Sequence, residues 1–279
     1  MAISDNSLSN KENYRVGSIV KGVSYILSNS EVLWLAWQNP RSRQYYHVGT
    51  LTLKNDQYTF TYTWFEKEEN RKLEHALQDG YSLHPSFPDI QRLYISHKLF
   101  PAFDRRLPSI DRVDFDSILT DLGLTNNCSK MDLLRRTRGR IANDTYSFEE
   151  PIFIDDNGNT LITCFAHGMR HQKLPSDWQK YLSINDSVYL MQEPENPKDP
   201  KAIAIYTHSG LCLGYVPAFY TVALNSLLNQ GAKITAYIEY VNEKATAHWW
   251  VKIKCISTPF SIEENANQET KRMLSSVLS

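Results

Sequence analysis

A succession of short apolar stretches in the C-terminal half constrains the fold more than any other feature of the sequence. Each stretch is rich in branched and aromatic side chains and is bounded by turn residues, which is typical of a β-strand. Six strands are predicted there, at 161–166, 188–191, 202–206, 211–216, 234–241 and 249–256. A helix is predicted at 218–229, because apolar residues recur on one face and Gly231 is placed to end it. Short strands around one helix predict a small closed β-barrel, since closure leaves no sheet edge exposed.

The N-terminal half predicts a β-meander followed by short helices. Its strands are predicted at 32–37, 46–53 and 58–63. The last of these alternates aromatic residues with threonines, as a half-buried antiparallel strand does. A helix is predicted after Asp114 with a stop at Gly123, and Ser129 with Asp132 forms a capping box for the next helix. The aromatic residues of this half are interpreted as core, with a binding face as the alternative: Trp34, Trp37, Tyr45, Tyr46, Trp64 and Phe65.

We therefore predict a fold class that is mainly β with short helices (α+β), in four segments. They are a flexible tail at 1–18, an α+β domain at 19–150, a barrel domain at 155–260 and a polar tail at 261–279, for which a short helix is one option. The turn sequence Asp156-Asn157-Gly158 marks the seam. It is either a linker or a hairpin turn inside the second domain.

The composition requires any polyanion site to be local. The net charge is −1, with 30 basic and 31 acidic side chains, so no global positive field would draw the chain onto nucleic acid or an anionic membrane. The four cysteines form no C-x-x-C pair, which indicates reduced thiols in a cytoplasmic protein. The N-terminus lacks the apolar core of a signal peptide, and no apolar run approaches the ~20 residues of a membrane span. We expect neither export nor membrane insertion.

The motifs of nucleotide-binding loops and hydrolases are absent. The sequence contains no G-x-x-x-x-G-K-[ST], G-x-G-x-x-G or G-x-S-x-G. We therefore predict a non-catalytic protein without a cofactor. A metal-dependent nuclease is a weaker alternative, since Glu193, Glu195 and Asp199 supply carboxylates, although three prolines stiffen that loop. No metal site is predicted at His167 and His171, because an extended chain at ~3.3 Å per residue sets them too far apart for one ion.

Three ordered blocks within 160–257 resemble the HIRAN domain. They read G-M-R-H at 168–171, E-P-E-N-P-K-D-P-K-A-I at 193–203 and L-G-Y-V-P at 213–217. The resemblance implies a modified SH3- or OB-like barrel, and the members attached to fork-remodelling helicases hold the 3′ end of single-stranded DNA. It implies that Arg170 approaches a phosphate, and that Asn196 and Asp199 reach the sugar end or terminal hydroxyl. The residues after Arg170 and after Pro197 are implied to stack on bases.

At the stacking positions this chain departs from the end-binding members, which carry aromatic residues there. It has His171, Gln172 and Lys198 instead. Stacking on an aromatic ring contributes roughly 1 to 3 kcal/mol per base, so the loss of two platforms weakens binding. His171 can still stack and Lys198 can gain a phosphate contact. Trp250, or its neighbour Trp249, is the candidate replacement platform.

Short blocks within 31–150 resemble the N-terminal subdomain of HipA-type kinases. They read V-G-T-L at 48–51, Y-T-F-T-Y at 58–62, L-F-P-A-F at 99–103, L-P at 107–108 and M-D-L-L at 131–134, followed by Gly139. The resemblance implies an accessory β-rich unit that meets partner proteins. Nothing in the chain offers the Lys, catalytic Asp and metal-binding Asp of the kinase body.

A basic cluster supplies four guanidinium groups within six residues. Its members are Arg135, Arg136, Arg138 and Arg140. Such density suits phosphate contacts. The alternative is that these charges end a helix and complement its dipole.

Taken together, the residues predict a non-catalytic adaptor that binds nucleic acid. The barrel would hold single-stranded DNA or a DNA 3′ end, and the N-terminal half would dock a protein such as a helicase, a nuclease or a HipA-type kinase. The alternative is a HipS-like interaction protein of a toxin–antitoxin or defence system. DNA repair and phage defence are the expected settings.

Overall fold

The computed structural model describes residues 30–64, 72–141, 144–154, 158–245 and 247–258. Within these residues the strands form two antiparallel sheets, of five and seven strands, accompanied by short helices. The predicted fold class, mainly β with short helices, is confirmed. The predicted tails at 1–18 and 261–279 lie outside the described residues, as does Phe65.

The first sheet comes from the N-terminal half. Its strands are β1 (Ser30–Gln38), β2 (Tyr45–Lys54), β3 (Gln57–Tyr62), β4 (Tyr94–Ser96) and β5 (Tyr146–Glu149), in the order β4-β3-β2-β1-β5. The helices of this half are α1 (Leu73–Gln78), α2 (Pro101–Asp104), α3 (Phe115–Asp121) and α4 (Lys130–Thr137). The aromatic residues of β3 are buried on one face, as the alternation predicts. The capping box of Ser129 and Asp132 is confirmed at the start of α4, and Gly123 follows the end of α3 in the left-handed conformation (φ 66°).

The second sheet comes from the C-terminal half. Its strands are β6 (Phe153–Ile154), β7 (Thr160–Phe165), β8 (Ser187–Gln192), β9 (Ile203–Thr207), β10 (Cys212–Tyr215), β11 (Lys233–Val241) and β12 (Val251–Thr258), in the order β10-β9-β8-β11-β12-β7-β6. Short 3₁₀ turns lie at Met169–His171, Trp178–Tyr181 and Ala247–Trp249. Helix α5 (Ala218–Asn229) has the predicted bounds, and Gly231 follows it with a φ of 77°.

The second sheet closes where the chain beyond β7 meets β10. His167 and Tyr215 exchange two backbone hydrogen bonds, with N···O distances of 2.8 and 2.9 Å. Gly214 has a φ of 111°, and a Cβ at this position would lie 2.3 Å from the carbonyl oxygen of His167. Only glycine permits so close an approach. The glycine of the L-G-Y-V-P block is therefore required for closure of the barrel.

Strand β6, which precedes the turn sequence that marks the predicted seam, belongs to the second sheet. Strand β6 pairs antiparallel with β7, with Phe153 opposite Leu161 and Ile154 opposite Thr160. The strands before and after the turn sequence Asp156-Asn157-Gly158 are thus paired with each other, and residues 155–157 lie outside the described residues. The chain passes from one sheet to the other at 150–152, between β5 and β6.

Strand β1 is buried on both faces and contributes to two cores. The odd-numbered residues from Leu33 to Trp37 pack into the core of the first sheet, among its helices. Trp34 and Ala36 point the other way, into the core that fills the barrel and covers α5. The ring of Trp34 lies 5.8 Å from that of Tyr220 in α5. The two halves therefore share apolar packing, in addition to the chain that joins them.

Polar contacts also cross the junction. Lys252 Nζ lies 2.6 Å from the Glu150 carboxylate, which also accepts a hydrogen bond from the Thr163 hydroxyl at 2.9 Å. The Tyr220 hydroxyl donates to the Glu150 carbonyl oxygen at 2.5 Å. Burial alone would raise the pKa of the Glu150 carboxyl, but the Lys252 ammonium outweighs burial and holds this pKa below its ordinary value. The ionised pair thus stabilises the junction.

All four cysteines are free thiols, and two of them, Cys164 and Cys255, are buried in the barrel. Burial raises the pKa of the Cys255 thiol to about 12. None of the helices in the described ranges has the length and apolar character needed to cross a bilayer.

Candidate nucleic-acid interface

The loop that joins β8 to β9 is ordered by its own side chains. Asn196 Oδ1 accepts hydrogen bonds from the backbone N–H groups of Lys198 and Asp199, at 3.0 and 3.3 Å. Asp199 Oδ1 accepts from the backbone N–H of Lys201 at 2.9 Å. In such bonds a side chain replaces a backbone acceptor and fixes a turn. Asn196 and Asp199, which were predicted to reach a sugar end, are therefore also the residues that shape the loop.

Glu193 connects this loop to β10. Its Oε2 accepts hydrogen bonds from the Tyr215 hydroxyl at 3.1 Å and from Asn196 Nδ2 at 2.8 Å. Burial, and then the Glu193 carboxylate, raise the pKa of Tyr215 to about 12. The phenol therefore stays protonated at neutral pH and can act as a hydrogen-bond donor.

No role was predicted for Tyr215, and the reason is a β-bulge. In a regular strand Leu213 and Tyr215 would share a face. The register shifts between Cys212 and Gly214, so that Leu213 is fully buried while Tyr215 lies opposite Ala204 and is half-exposed. Bulges place a side chain on the other face of a strand. The glycine beside Tyr215 was the only sequence signal for this bulge.

Arg170 lies on a 3₁₀ turn that packs against β10. Gly168 begins the turn with a φ of 76°, and Met169 anchors it with 1% of its surface exposed. Arg170 and His171 are exposed, and Arg170 Nε donates to His171 Nε2 at 3.2 Å. Among the described residues no carboxylate pairs with Arg170. The turn thus presents an uncompensated cation at the surface.

The turn that carries Arg170 and the loop that carries Asn196 both adjoin Tyr215. The backbone of His167 bonds that of Tyr215 on one side, and the Tyr215 side chain reaches Glu193 on the other. We call the set of Arg170, Glu193, Asn196 and Tyr215 the Tyr215 patch. Lys198 is exposed on the loop, whereas Gln172 is half-buried and donates to the Gly168 carbonyl oxygen at 3.4 Å.

Asp199 borders a cleft between the two halves. The cleft has a volume of about 500 Å³. Its polar lining includes Tyr46, His75 and Asp79 from the first half and Asp199, Lys201 and Thr221 from the second. The Tyr46 hydroxyl donates to the Asp79 carboxylate at 2.8 Å, so this wall is itself ordered. The loop therefore faces a surface to which the first half contributes.

Trp250 is part of the core packing. Its ring lies 5.3 Å from that of Trp178 with an interplanar angle of 34°, and its Nε1 donates to the Ala245 carbonyl oxygen at 2.9 Å. The residue is half-buried and packs against the barrel core, as Trp178 does. One face of the indole is therefore covered, and the predicted replacement platform at Trp250 is not an open one.

The predicted basic cluster does not form one surface. Its members are Arg135, Arg136, Arg138 and Arg140. Arg138 is 3% exposed, pairs with Glu149 and lies 5.4 Å from the ring centroid of Phe165. Burial lowers the pKa of this guanidinium to about 10. The predicted phosphate contact at Arg138 is wrong, because a buried, paired guanidinium cannot reach a phosphate.

The other three arginines differ in their surroundings. Arg135 pairs with the carboxylates of Glu31 and Asp132, Arg136 is exposed, and Arg140 is half-buried. Arg135 and Arg136 occupy the last turn of α4, which agrees with the alternative that these charges end a helix.

Within the described residues, no group of three or more His, Cys, Asp and Glu side chains is arranged to hold a metal ion. His167 packs its ring 4.8 Å from that of Tyr45, across the junction. The acidic residues of the loop are engaged in holding it, since Glu193 and Asp199 accept hydrogen bonds within the site.

Comparisons with known proteins find a family match for the C-terminal segment. Residues 160–256 match the family model described as the HIRAN domain. No curated protein matches the chain. Among solved structures, the crystal structure of the HIRAN domain of human HLTF is 16% identical, with 42% of this chain and 88% of that chain covered and a TM-score of 0.34.

Two further solved structures are similar in part. The NMR structure of the HLTF HIRAN domain in its DNA-bound conformation is 20% identical, with 46% of this chain and 90% of that chain covered and a TM-score of 0.30. A crystal structure of a protein from Lactobacillus plantarum is 19% identical, with 36% of this chain and 99% of that chain covered and a TM-score of 0.31. These matches do not show the HipA resemblance, which stays a prediction. Residues 160–256 of this chain are a HIRAN domain.

Proposed function

We propose that the HIRAN domain of this protein holds single-stranded DNA or a DNA 3′ end at the Tyr215 patch. The observation that carries the proposal is the exposed Arg170, which has no carboxylate partner among the described residues and lies on a turn anchored beside Tyr215. A guanidinium can contact phosphate through two parallel hydrogen bonds. The DNA-bound state of the HLTF domain supports the same ligand class here.

The chemistry of the patch suits a sugar–phosphate end. Arg170 supplies charge for a phosphate, and Lys198 lies exposed on the adjoining loop. The Tyr215 hydroxyl donates its hydrogen to Glu193 and can accept a hydrogen bond from a sugar hydroxyl, and the Asn196 amide, also held by Glu193, keeps a second N–H for the ligand. The Glu193 carboxylate serves to order its neighbours. We therefore propose that the site holds DNA without catalysing a reaction.

We further propose that the N-terminal half docks a protein partner. Strand β4 is at the edge of the first sheet, and no strand in the described ranges pairs with its outer side. Leu93 and Ile95, at this edge, are 54% and 55% exposed. An unpaired strand edge with apolar side chains is a site for strand addition by another protein. A pull-down from the native host with wild-type protein and an Ile95→Lys variant tests this. A partner retained equally by both proteins would refute the edge as the contact.

DNA binding is tested by titrating the full chain against labelled single-stranded oligonucleotides, with a free or a phosphate-blocked 3′ end, over a salt series. Arg170→Ala is expected to weaken binding and to reduce the salt slope by about one, because one phosphate contact is lost. Arg105→Ala is the matched control, since Arg105 is also exposed but lies in the other half of the chain. The proposal fails if the wild type shows no salt-sensitive binding, or if the two variants lose affinity equally.

A further inference from the structure

The outer face of the barrel carries a row of exposed aromatic and thioether side chains. In the pairing of β8 with β9, Tyr189 lies opposite Tyr206 and Met191 lies opposite Ala204. Directly opposed residues share a face of the sheet. Tyr189 and Met191 are each 53% exposed, and Tyr206 is half-exposed. In the pairing of β9 with β10, Tyr215 lies opposite Ala204. We call the set of Tyr189, Met191, Tyr206 and Tyr215 the tyrosine face.

The side chains of the tyrosine face are not part of the barrel core. The intervening residues Val188, Ile203 and Ile205 point inward and are between 0% and 6% exposed. The core is thus filled from the other side of the same strands. Scattered single apolar residues at a surface need no explanation, but adjacent ones indicate a binding surface.

The ring of Tyr189 is held in place by His208. Its hydroxyl is hydrogen-bonded to His208 Nδ1 at 2.5 Å, and the two ring centroids are 4.3 Å apart. His208 Nε2 is in turn bonded to the Ser187 hydroxyl at 2.5 Å. A ring fixed before binding loses little conformational entropy when a ligand packs on it.

The strand pairing around the tyrosine face restricts how a ligand can bind to it. Strand β9 is paired on both sides, by β8 and β10, whereas β8 pairs with β9 along Val188–Gln192 and with β11 at Ser187 and Val188. The outer edge of β10 is bonded to His167. A ligand that lies on the tyrosine face itself therefore covers strands whose backbone groups are paired with each other, and it must be recognised through side chains.

The charged residues beside the tyrosine face further restrict the class of ligand that can bind there. At Tyr215 the tyrosine face meets the turn of Arg170, and Lys198 lies on the loop at the end of β8. Neither cation has an ion-pair partner in the part of the chain that the structure describes. The Glu193 carboxylate beside Tyr215 is occupied by its hydrogen bonds to Tyr215 and Asn196. Aromatic rings bordered by cations that form no ion pair suit a polyanion that carries π faces, which is single-stranded nucleic acid.

We propose that Tyr189 and Tyr206 stack the bases of the strand whose end lies at the Tyr215 patch. This inference rests on the proposed function and adds the base-contacting residues to it. The two rings take the place of the aromatic residues that the chain lacks at His171 and Lys198. They lie on β8 and β9, outside the three sequence blocks, so the strand runs across the sheet from Arg170 toward Tyr189.

A double-mutant cycle between ring and base tests the inference. One labelled oligonucleotide is compared with a second of equal length in which the internal nucleotides are abasic, so that the phosphates remain and the bases are lost. Tyr189→Ala in the full chain is expected to raise the Kd for the intact strand about 5- to 140-fold. The Kd for the abasic strand is expected to stay unchanged, because no base is there to stack. The difference between the two effects is the interaction free energy between the ring and the base, which is the quantity that the cycle measures.

Two control variants separate stacking from other effects. Tyr189→Phe keeps the ring but loses the hydrogen bond to His208, so it is expected to weaken binding of the intact strand far less than Tyr189→Ala does. Tyr181→Ala removes a tyrosine that is 55% exposed but lies on the Trp178–Tyr181 turn, outside β8, β9 and β10, and is expected to leave both Kd values unchanged. Tyr206→Ala gives a second, independent measurement, with thermal unfolding to verify that the barrel remains folded.

The outcomes distinguish the two proposals. If the wild type binds the intact strand and Tyr189→Ala binds it equally well, the tyrosine face is refuted while the proposed function stands. Equal weakening for the intact and abasic strands also refutes stacking. If the wild type binds neither strand at low salt, the proposed function itself is refuted, and the stacking role with it.

Discussion

Replacing Trp34 should destabilise the two halves of the protein together. Trp34 is 2% exposed and belongs by sequence to the first sheet, but it packs in the core of the barrel. Its ring lies 4.4 Å from that of His47 and 5.8 Å from that of Tyr220. Trp34→Ala removes both ring contacts and leaves a cavity between the sheets, which typically costs about 3 to 5 kcal/mol. That is a large part of the ~5 to 15 kcal/mol by which a native protein is stable.

Amide hydrogen exchange measured by mass spectrometry shows which strands and helices lose stability in Trp34→Ala. At about 1.4 kcal/mol per factor of ten, a loss of about 3 to 5 kcal/mol should make exchange through opening of the junction roughly 10²- to 4 × 10³-fold faster. The effect is expected in β1 of the first sheet and in α5 of the barrel alike. Trp37→Ala is the matched control, because Trp37 is on the same strand, is 7% exposed and packs only into the first core. The reasoning is refuted if α5 keeps its wild-type protection in Trp34→Ala, or if both variants expose α5 equally.

Two further substitutions test the barrel and the junction. Gly214→Ala should prevent closure and lower the melting temperature by more than Gly210→Ala, because Gly210 has a similar φ of 83° but open space around it; equal shifts would contradict the closure argument. Lys252→Met leaves the half-buried Glu150 carboxylate, and the Glu239 carboxylate 3.1 Å from the same ammonium, without a cation and should cost up to about 3 kcal/mol at pH 7, measured by denaturant unfolding. Since the pKa of Glu150 is lowered on folding, the pair contributes stability above the unfolded value of about 4.3 and loses it as pH falls through the folded value. The wild type should therefore lose part of its stability below about pH 4.3, and Lys252→Met should lose less over the same range; parallel pH profiles would argue against a stabilising pair.

Much of the local structure was predictable because it depends on spacing along the chain. Helix α5 has the predicted bounds, since its apolar period and the glycine after it are local signals. The capping box at Ser129 is also local, because both partners lie within three residues. The HIRAN blocks were equally visible, as an ordered string of residues does not depend on folding to be recognised.

Predictions that a side chain is free to bind a ligand depend on contacts with distant residues, and at two positions the structure does not agree with them. Arg138 has the same charge as its neighbours in sequence, yet it is buried against Glu149. Trp250 had the size of a stacking platform, but Trp178 covers one of its faces. In each case the partner comes from a distant part of the chain, so no pattern within a short window could show whether the side chain is free.

The sequence by itself determined the positions of β1 to β3, β7 to β12 and α3 to α5 and the kind of barrel, because periodicity, caps and turn residues act over a few positions; the shorter β4, β5, β6, α1 and α2 were not predicted. Only the tertiary structure decided which face of each strand is open to a ligand. The alternation at Trp34 and Trp37 shows two buried faces instead of one, and the bulge at Gly214 brings Tyr215 to the surface. The physical reason is that burial is a property of the packed chain: a side chain is exposed or covered according to what the other elements bring against it.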